Sequence, residues 1–114
     1  MPGQRMRRVN EAIREVLSEA IAQGLKDPRV GFVTVTSVDT SPDLRNARVY
    51  ISILGDESEQ QTTMAGLQHS HGYLQSLIAW ELGLKRTPRL DFLKDESIEH
   101  GMRIEKLLKE IEEG

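Results

Sequence analysis

The chain has 114 residues, of which 38% are hydrophobic and 29% are charged, and its formal charge is −3. This length suits one domain with a real core, and the absence of cysteine excludes disulfides, thiolate catalysis and cysteine-based metal or iron–sulfur sites. No apolar run approaches the ~20 residues that span a membrane, and no signal-peptide core follows the charged N-terminus. We therefore predict a cytoplasmic protein that has no membrane contact.

The charge is unevenly distributed along the chain. Residues 1–50 carry eight Lys and Arg against six Asp and Glu, whereas residues 51–114 carry seven against twelve. An acidic total argues against nucleic acid as a partner, but this distribution is compatible with a local basic surface. The basic residues form three clusters, at Arg5, Arg7 and Arg8, at Arg45 and Arg48, and at Lys85, Arg86 and Arg89. Composition alone leaves open whether these are solvated charges or phosphate contacts.

The first predicted elements are an amphipathic helix and two strands. Apolar residues recur at helical spacing over about residues 5–23, and Gly24 is a natural C-terminal cap. Residues 30–38, VGFVTVTSV, are rich in β-branched side chains, and Gly31 there suggests a bulge or a close approach. Residues 46–53 alternate apolar and polar side chains, and the turn-forming stretch DTSPDL precedes them. The pattern predicts an antiparallel hairpin.

The second half of the chain is predicted to be mainly helical. A weak helix follows LGDES, with Ser58 and Gln61 as a capping box, and a stronger helix begins at Tyr73. Residues 85–93, KRTPRLDFL, contain a proline and alternating apolar side chains, which predicts a short third strand. A last helix is predicted over about residues 96–114. The order is αββααβ plus a C-terminal helix, so we predict an α+β fold with the helices packed on one face of a three-stranded sheet.

The junction between the second and third predicted helices reads His69-Ser70-His71-Gly72. Residues two apart in a helix point roughly 200° apart, so the two histidines cannot share a metal ion there. We predict no metal site. No nucleophile elbow, Walker loop or paired-carboxylate motif occurs, so we also predict no catalytic residue, no cofactor and no enzyme activity. Gly72 indicates a kink, a close backbone approach or an ordinary helix end.

Three segments of the chain resemble the ribosome-binding factor A family. They are RMRRVNEAIREVLSEAI, DPRVGFVTVTSVDTSPDLRNARVYISILGD and TPRLDFLKDES, and from the first to the last the resemblance covers nearly the whole chain. The resemblance implies a type II KH-like fold and a single domain over residues 1–114. KH domains usually clamp a nucleic-acid backbone with a Gly-x-x-Gly loop between two helices. The family has an Ala-x-Gly kink at that point, and the matching residues here are Ser70-His71-Gly72, with Gly72 as the expected pivot.

The resemblance also implies a function. Such a protein is a non-catalytic, monomeric factor that binds the immature small (30S) ribosomal subunit, assists late maturation and processing of 16S rRNA, matters most in the cold, and leaves in a step coupled to assembly GTPases. The implied RNA-binding residues are Arg7, Arg8, Arg45, Arg48, Ser70, His71, Gly72, Lys85, Arg86 and Arg89. This chain has Gln75 where the family often carries an arginine. That departure would place more of the RNA contact on the other basic positions.

The alternative is a KH-like protein-interaction module without direct RNA contact. It would use Phe32 and Tyr50, on an exposed face of the sheet, as its contact patch. The two functions differ in their response to salt, because phosphate contacts release counterions and weaken as salt rises. Binding that is insensitive to salt and survives the removal of RNA would favour the protein module.

Overall fold

The computed structural model describes residues 3–96. The elements are, in chain order, helix α1 (Gln4–Gln23), strand β1 (Val33–Thr40), strand β2 (Asn46–Ile53), helix α2 (Glu57–His69), helix α3 (His71–Leu82) and strand β3 (Arg89–Lys94). The predicted α+β class and αββααβ order are confirmed. The C-terminal helix predicted for about residues 96–114 falls almost entirely outside the described residues, and the assignment of residues 1–114 to a single domain stays a prediction.

Helix α1 forms because its apolar residues lie along one stripe. Ile13, Leu17 and Ala20 of this stripe are buried in the core. The helix ends at Gly24, whose φ of 96° is accessible to glycine without a steric penalty. The Gly24 N–H bonds to the Ile21 carbonyl at 3.1 Å and so satisfies one carbonyl of the last turn. Both the helix and its cap are where the sequence predicted them.

Strands β1 and β2 form the predicted antiparallel hairpin, in which Val35 lies opposite Ile51 and Thr40 lies opposite Ala47. One face of β2 is buried and carries Ala47, Val49, Ile51 and Ile53. The other face is exposed or half-buried. The alternation of the sequence therefore predicted correctly which side of the sheet packs against the core.

The start and the bulge of β1 differ from the prediction. The strand begins at Val33, three residues later than expected, and its register shifts between Val35 and Ser37. The bulge therefore lies inside β1 and not at Gly31. The other alternative for Gly31, a close approach, describes it better, because its N–H donates to Thr63 Oγ1 of α2 at 3.3 Å. Gly31 thus contacts α2, whereas Phe32, the residue directly before β1, still faces the hairpin, because its carbonyl accepts from the Leu54 N–H at 3.0 Å.

Strand β3 pairs in parallel with β2, so the sheet order is β1-β2-β3. It contributes Leu90 and Phe92 to the core, as their alternation predicted. The three helices place their buried residues in the same cluster, with Leu67 from α2 and Leu74 and Ile78 from α3 all fully buried. Each such side chain stabilises the fold by about 1.5–3 kcal/mol through burial. These three helices, all within residues 3–96, thus pack against one face of the sheet.

Helix α2 begins with a capping box, although the sequence assigned it to the wrong residues. The Asp56 carboxylate accepts from the Glu59 N–H at 2.8 Å, and the Glu59 carboxylate accepts from the Asp56 N–H at 3.4 Å. The predicted box at Ser58 and Gln61 is wrong because Ser58 already lies inside the helix. An ionised Asp56 also interacts favourably with the positive end of the helix dipole.

Candidate nucleic-acid interface

Ser70 is the residue at which helix α2 stops and helix α3 begins. Its φ of −87° and ψ of 3° lie between the helical and extended regions. Its N–H bonds to the Gly66 and Leu67 carbonyls at 3.1 Å each, and its own carbonyl accepts from the Leu74 N–H at 3.1 Å. Helical hydrogen bonding therefore continues on both sides of one non-helical residue, which makes the break compact.

Gly72 is not the pivot that the sequence predicted. It lies inside α3, its φ is not positive, and a Cβ built on it would meet no atom within 4 Å. Neither a left-handed conformation nor a close backbone approach requires glycine at this position. The pivot hypothesis is wrong because the helix break falls two residues earlier, at Ser70.

The glycine that packing requires is Gly66, within α2. A Cβ on this residue would lie 2.8 Å from Val30 Cγ2, 3.2 Å from Arg29 Cβ and 3.3 Å from the Val30 backbone nitrogen. Glycine lets the loop before β1 pass this close to the helix. Sequence reasoning missed Gly66 because the residues that crowd it are distant in sequence.

Asp27 ties the same loop to the helix junction. Its carboxylate accepts from Arg29 Nε at 3.0 Å, from Arg29 Nη2 at 2.7 Å and from the Arg29 backbone N–H at 3.0 Å. It also lies 3.2 Å from His69 Nδ1. The bonds from Arg29, with a smaller contribution from His69, hold the pKa of Asp27 far below its usual range. Asp27 is therefore ionised at neutral pH.

A groove of about 590 Å³ lies between the helix junction and the edge strand β3, and we call it the β3-edge groove. Its polar lining comes from Arg48 of β2, Gln68 and His71 at the junction, and Arg89 and Asp91 of β3. Arg89 Nε lies 3.5 Å from Asp91 Oδ1, so this carboxylate offsets part of the arginine charge. Two guanidinium groups against one carboxylate leave the groove positively charged.

The β3-edge groove brings together three of the predicted RNA-binding residues, Arg48, His71 and Arg89. Arg45 lies at the same end of the sheet, because its carbonyl accepts from the Arg89 N–H at 2.8 Å. Two further predicted cations are exposed in the loop that leads into β3, namely Lys85 and Arg86. The second and third basic clusters of the sequence thus converge on one end of the β2–β3 pair.

The N-terminal basic cluster lies elsewhere. Arg7 lines a separate cavity with β1 residues 36–38, at the sheet edge farthest from β3. Arg8 is exposed on α1. These two predicted RNA-binding residues are therefore not part of the β3-edge groove. Ser70 is half-buried and Gly72 is exposed, and neither lines the groove, although both adjoin His71.

Gln75, at the position where the resembling family often has an arginine, has a structural contact in this chain. Its side chain is half-buried, and Nε2 donates to the Pro88 carbonyl at 2.9 Å. This bond ties α3 to the residue that precedes β3. Gln75 therefore helps to position the strand that forms the groove.

His69 and His71 have different partners. His69 is beside Asp27, whereas His71 Nδ1 lies 2.8 Å from the Gln68 carbonyl. Within residues 3–96, no three His, Asp or Glu side chains are grouped as a metal site would require. No helix in the same range is long and apolar enough to cross a membrane.

Phe32 and Tyr50, the contact patch of the alternative function, have different surroundings. Phe32 is 78% exposed and lines a cavity with Ser18 and Ile21 of α1. Tyr50 is half-buried in the middle of β2. No described contact joins the two aromatic side chains, so the structure adds no support to a shared patch.

Two polar residues of the β3-edge groove were absent from the predicted RNA-binding set, Gln68 and Asp91. A search for clustered cations selects neither an amide nor a carboxylate. A usable signal exists for Gln68, which stands one helical turn before His71. For Asp91 the signal is the register of β2 and β3, which places it beside Arg48. That register was not available before the parallel pairing was known.

Comparisons with known proteins agree on one family. The family model for ribosome-binding factor A matches residues 5–108. A ribosome-binding factor A of Halothermothrix orenii is 44% identical over 113 residues, which cover 99% of this chain and 93% of the relative. A Thermotoga maritima protein, solved by solution NMR and proposed to be a ribosome-binding factor A, is 35% identical with a TM-score of 0.74, covering 85% of this chain and 92% of that one. A Thermus thermophilus ribosome-binding factor A homology model, fitted into a cryo-EM map of its 30S complex, is 29% identical with a TM-score of 0.63, covering 76% and 91% of the two chains.

Proposed function

This chain belongs to the ribosome-binding factor A family, and on that premise we propose that it binds the small ribosomal subunit and assists late maturation and processing of 16S rRNA without catalysing a reaction. The observation that carries the proposal is the β3-edge groove, in which Arg48, His71 and Arg89 meet beside the helix junction. The similar Thermus thermophilus protein fitted in a 30S complex supports the same partner.

The groove suits an RNA backbone for physical reasons. Guanidinium groups such as those of Arg48 and Arg89 match phosphate oxygens with paired hydrogen bonds. Each neutralised phosphate releases counterions, which makes binding salt-sensitive. Asp91 would repel phosphates that come close to it. The groove therefore favours RNA whose phosphates are placed beside the two arginines and away from the carboxylate.

Binding of this kind assists the folding of the RNA without catalysing a reaction. The helices are packed on one face of the sheet around a shared core, so the groove has a defined shape before RNA arrives. A protein that binds one RNA conformation more tightly than the others shifts the population toward that conformation. Recognition by shape and phosphate position is the usual way in which proteins read folded RNA.

The same proposal includes the finer features that the family resemblance implied. The protein acts in the cytoplasm as a monomeric single domain, and it matters most in the cold, where misfolded RNA helices rearrange slowly. Its departure from the subunit is coupled to assembly GTPases, which are transient functional partners. These features rest on family membership and not on the geometry of the groove.

The test is co-sedimentation of the purified protein with isolated small subunits, at low and moderate salt. We expect co-migration with the small subunit, none with the large subunit, and a loss of binding as salt rises. Arg48→Ala and Arg89→Ala should each weaken binding and lower the salt slope by about one. Arg14→Ala is the matched control, because Arg14 lies on α1 and pairs with Glu11 away from the groove.

Three results would count against the proposal. Equal loss of binding in all three arginine variants would mean that the groove is not the RNA contact. Binding to a partner that is insensitive to salt and resistant to ribonuclease would favour the protein-interaction module. If the protein does not associate with the subunit at all, the chain has the fold of its family but not the proposed function.

A further inference from the structure

A second cavity lies on another side of the helix junction, and we call it the junction cavity. It has a volume of about 730 Å³, within the range of small-molecule sites. Leu25 and Pro28 of the loop after α1 supply apolar lining. The ring of Tyr73, at the start of α3, is 58% exposed and also lines the cavity. The cavity thus combines an exposed aromatic ring with a small apolar surface.

Two cationic side chains, Lys26 and Arg29, and one carboxylate, Asp27, line the junction cavity. Lys26 is exposed at the lining, and Arg29 and His69 are held by their bonds to Asp27. Those bonds engage Nε and Nη2 of Arg29, and no described residue accepts from its Nη1 group. Because Arg29 neutralises Asp27, the remaining positive charge of Lys26 sets the sign of the cavity.

The junction cavity is preformed. The Asp27 carboxylate lies 3.2 Å from His69 Nδ1 at the junction and is also bonded to Arg29 of its own loop. The close approach at Gly66 fixes the distance between the loop and α2. A ligand that enters such a site does not have to order the loop first, so less of its binding free energy is lost.

The two cavities share the helix junction. Gln68 and His71 line the β3-edge groove, whereas His69 and Ser70 line the junction cavity. These four residues are consecutive in the chain. A polyanion that follows the groove across the junction therefore meets a second site that offers an aromatic ring and a cation.

We propose that the junction cavity binds one unpaired nucleotide of the RNA, with its base stacked on Tyr73 and its phosphate beside Lys26 and Arg29. The inference rests on the proposed function, because it takes RNA as the partner. Stacking on an aromatic ring with a cation nearby is the general way in which proteins hold single-stranded bases. It distinguishes this site from the β3-edge groove, whose lining offers cations for a backbone.

The test measures binding of a labelled, unstructured adenine-rich RNA of about ten nucleotides, and of a duplex of the same length, by fluorescence anisotropy. Tyr73→Ala should weaken binding of the single strand about ten-fold. Tyr73→Phe should restore it, because the ring is retained. Lys26→Ala should weaken it and lower the salt slope by about one. Binding of the duplex should change little in every variant.

Trp80→Ala is the matched control, because Trp80 is an aromatic residue of the same helix that is 86% exposed and does not line the cavity. A second readout uses the double variant Tyr73→Trp, Trp80→Phe, which places the single tryptophan of the chain in the junction cavity. Stacking of a base should quench its fluorescence in a saturable way. This readout does not depend on the folding of an alanine variant.

The outcomes separate the inference from the proposed function. If the wild type co-sediments with small subunits but Tyr73→Ala binds the single strand as tightly as Trp80→Ala does, the nucleotide site is refuted and the function stands. In a second outcome, Tyr73→Ala is the only variant that fails to bind the single strand, and the wild type does not co-sediment with small subunits. The nucleotide site would then be supported, and the subunit would be the wrong partner. An unquenched reporter under saturating RNA would also refute the site.

Discussion

Replacing Gly66 or Gly72 with alanine should have opposite effects on stability, although both glycines lie in helices next to the same junction. Alanine is favoured over glycine in a helix by roughly 0.5–1 kcal/mol. At Gly72 nothing lies within 4 Å of the new Cβ, so no steric cost offsets the helical gain of Gly72→Ala. The gain itself is smaller near a helix end. At Gly66 the new Cβ would lie 2.8 Å from Val30 Cγ2.

The cost at Gly66 follows from what surrounds it. The Val30 backbone nitrogen lies 3.3 Å from the added atom, so turning the valine side chain does not relieve the whole contact. Overpacking of this kind costs about 1–3 kcal/mol, which exceeds the helical gain of roughly 0.5–1 kcal/mol. We expect Gly66→Ala to be less stable than Gly72→Ala by about 1–3 kcal/mol.

Urea unfolding of the wild type, Gly66→Ala and Gly72→Ala, followed by far-ultraviolet circular dichroism, measures this difference. With a slope of about 1–3 kcal/mol per molar urea, a gap of about 2 kcal/mol separates the two midpoints by roughly 1 M. A Gly66→Ala midpoint equal to or above that of Gly72→Ala would refute the reasoning. Glycine would then not be required where the loop crosses α2, and the role of Gly72 as a pivot would have to be reconsidered.

Two further predictions concern ionised side chains. The bonds from Arg29 lower the pKa of Asp27 from its ordinary value of 3.8, so the ionised carboxylate stabilises the fold fully above that pH and loses this contribution as the pH falls toward its folded pKa. Asp27→Asn should therefore be less stable than the wild type at about pH 7 in urea unfolding, and the difference should shrink toward about pH 2. A difference that stays constant with pH would contradict the reasoning. Asp56→Ala should lower the free energy of unfolding by ~1 kcal/mol through loss of the helix cap. Ser58→Ala, at the position that the sequence indicated, should leave the free energy of unfolding nearly unchanged, and equal losses in the two variants would show that the cap contributes nothing.

The sequence by itself determined the order of the elements and the buried faces of α1, β2 and β3. The stripe of α1 and the alternation of β2 are local patterns, and burial of one apolar side is sufficient to select helix or strand. Leu90 and Phe92 identified β3 in the same way. The family motifs identified the type of fold, and the basic clusters at Arg45, Arg48 and Arg89 indicated the region of the groove.

Only the tertiary structure decided which residues share a site. The parallel pairing of β3 with β2 brings Arg89 to Arg45 and Asp91 to Arg48, and sheet packing separates Arg7 from all of them. Glycine is needed at position 66 because a loop distant in sequence packs against it, whereas no contact requires glycine at position 72. Local patterns report the preference of each residue for helix, strand or turn. A site forms from residues that are far apart in the chain, and their distances are set by the way in which the helices and strands pack.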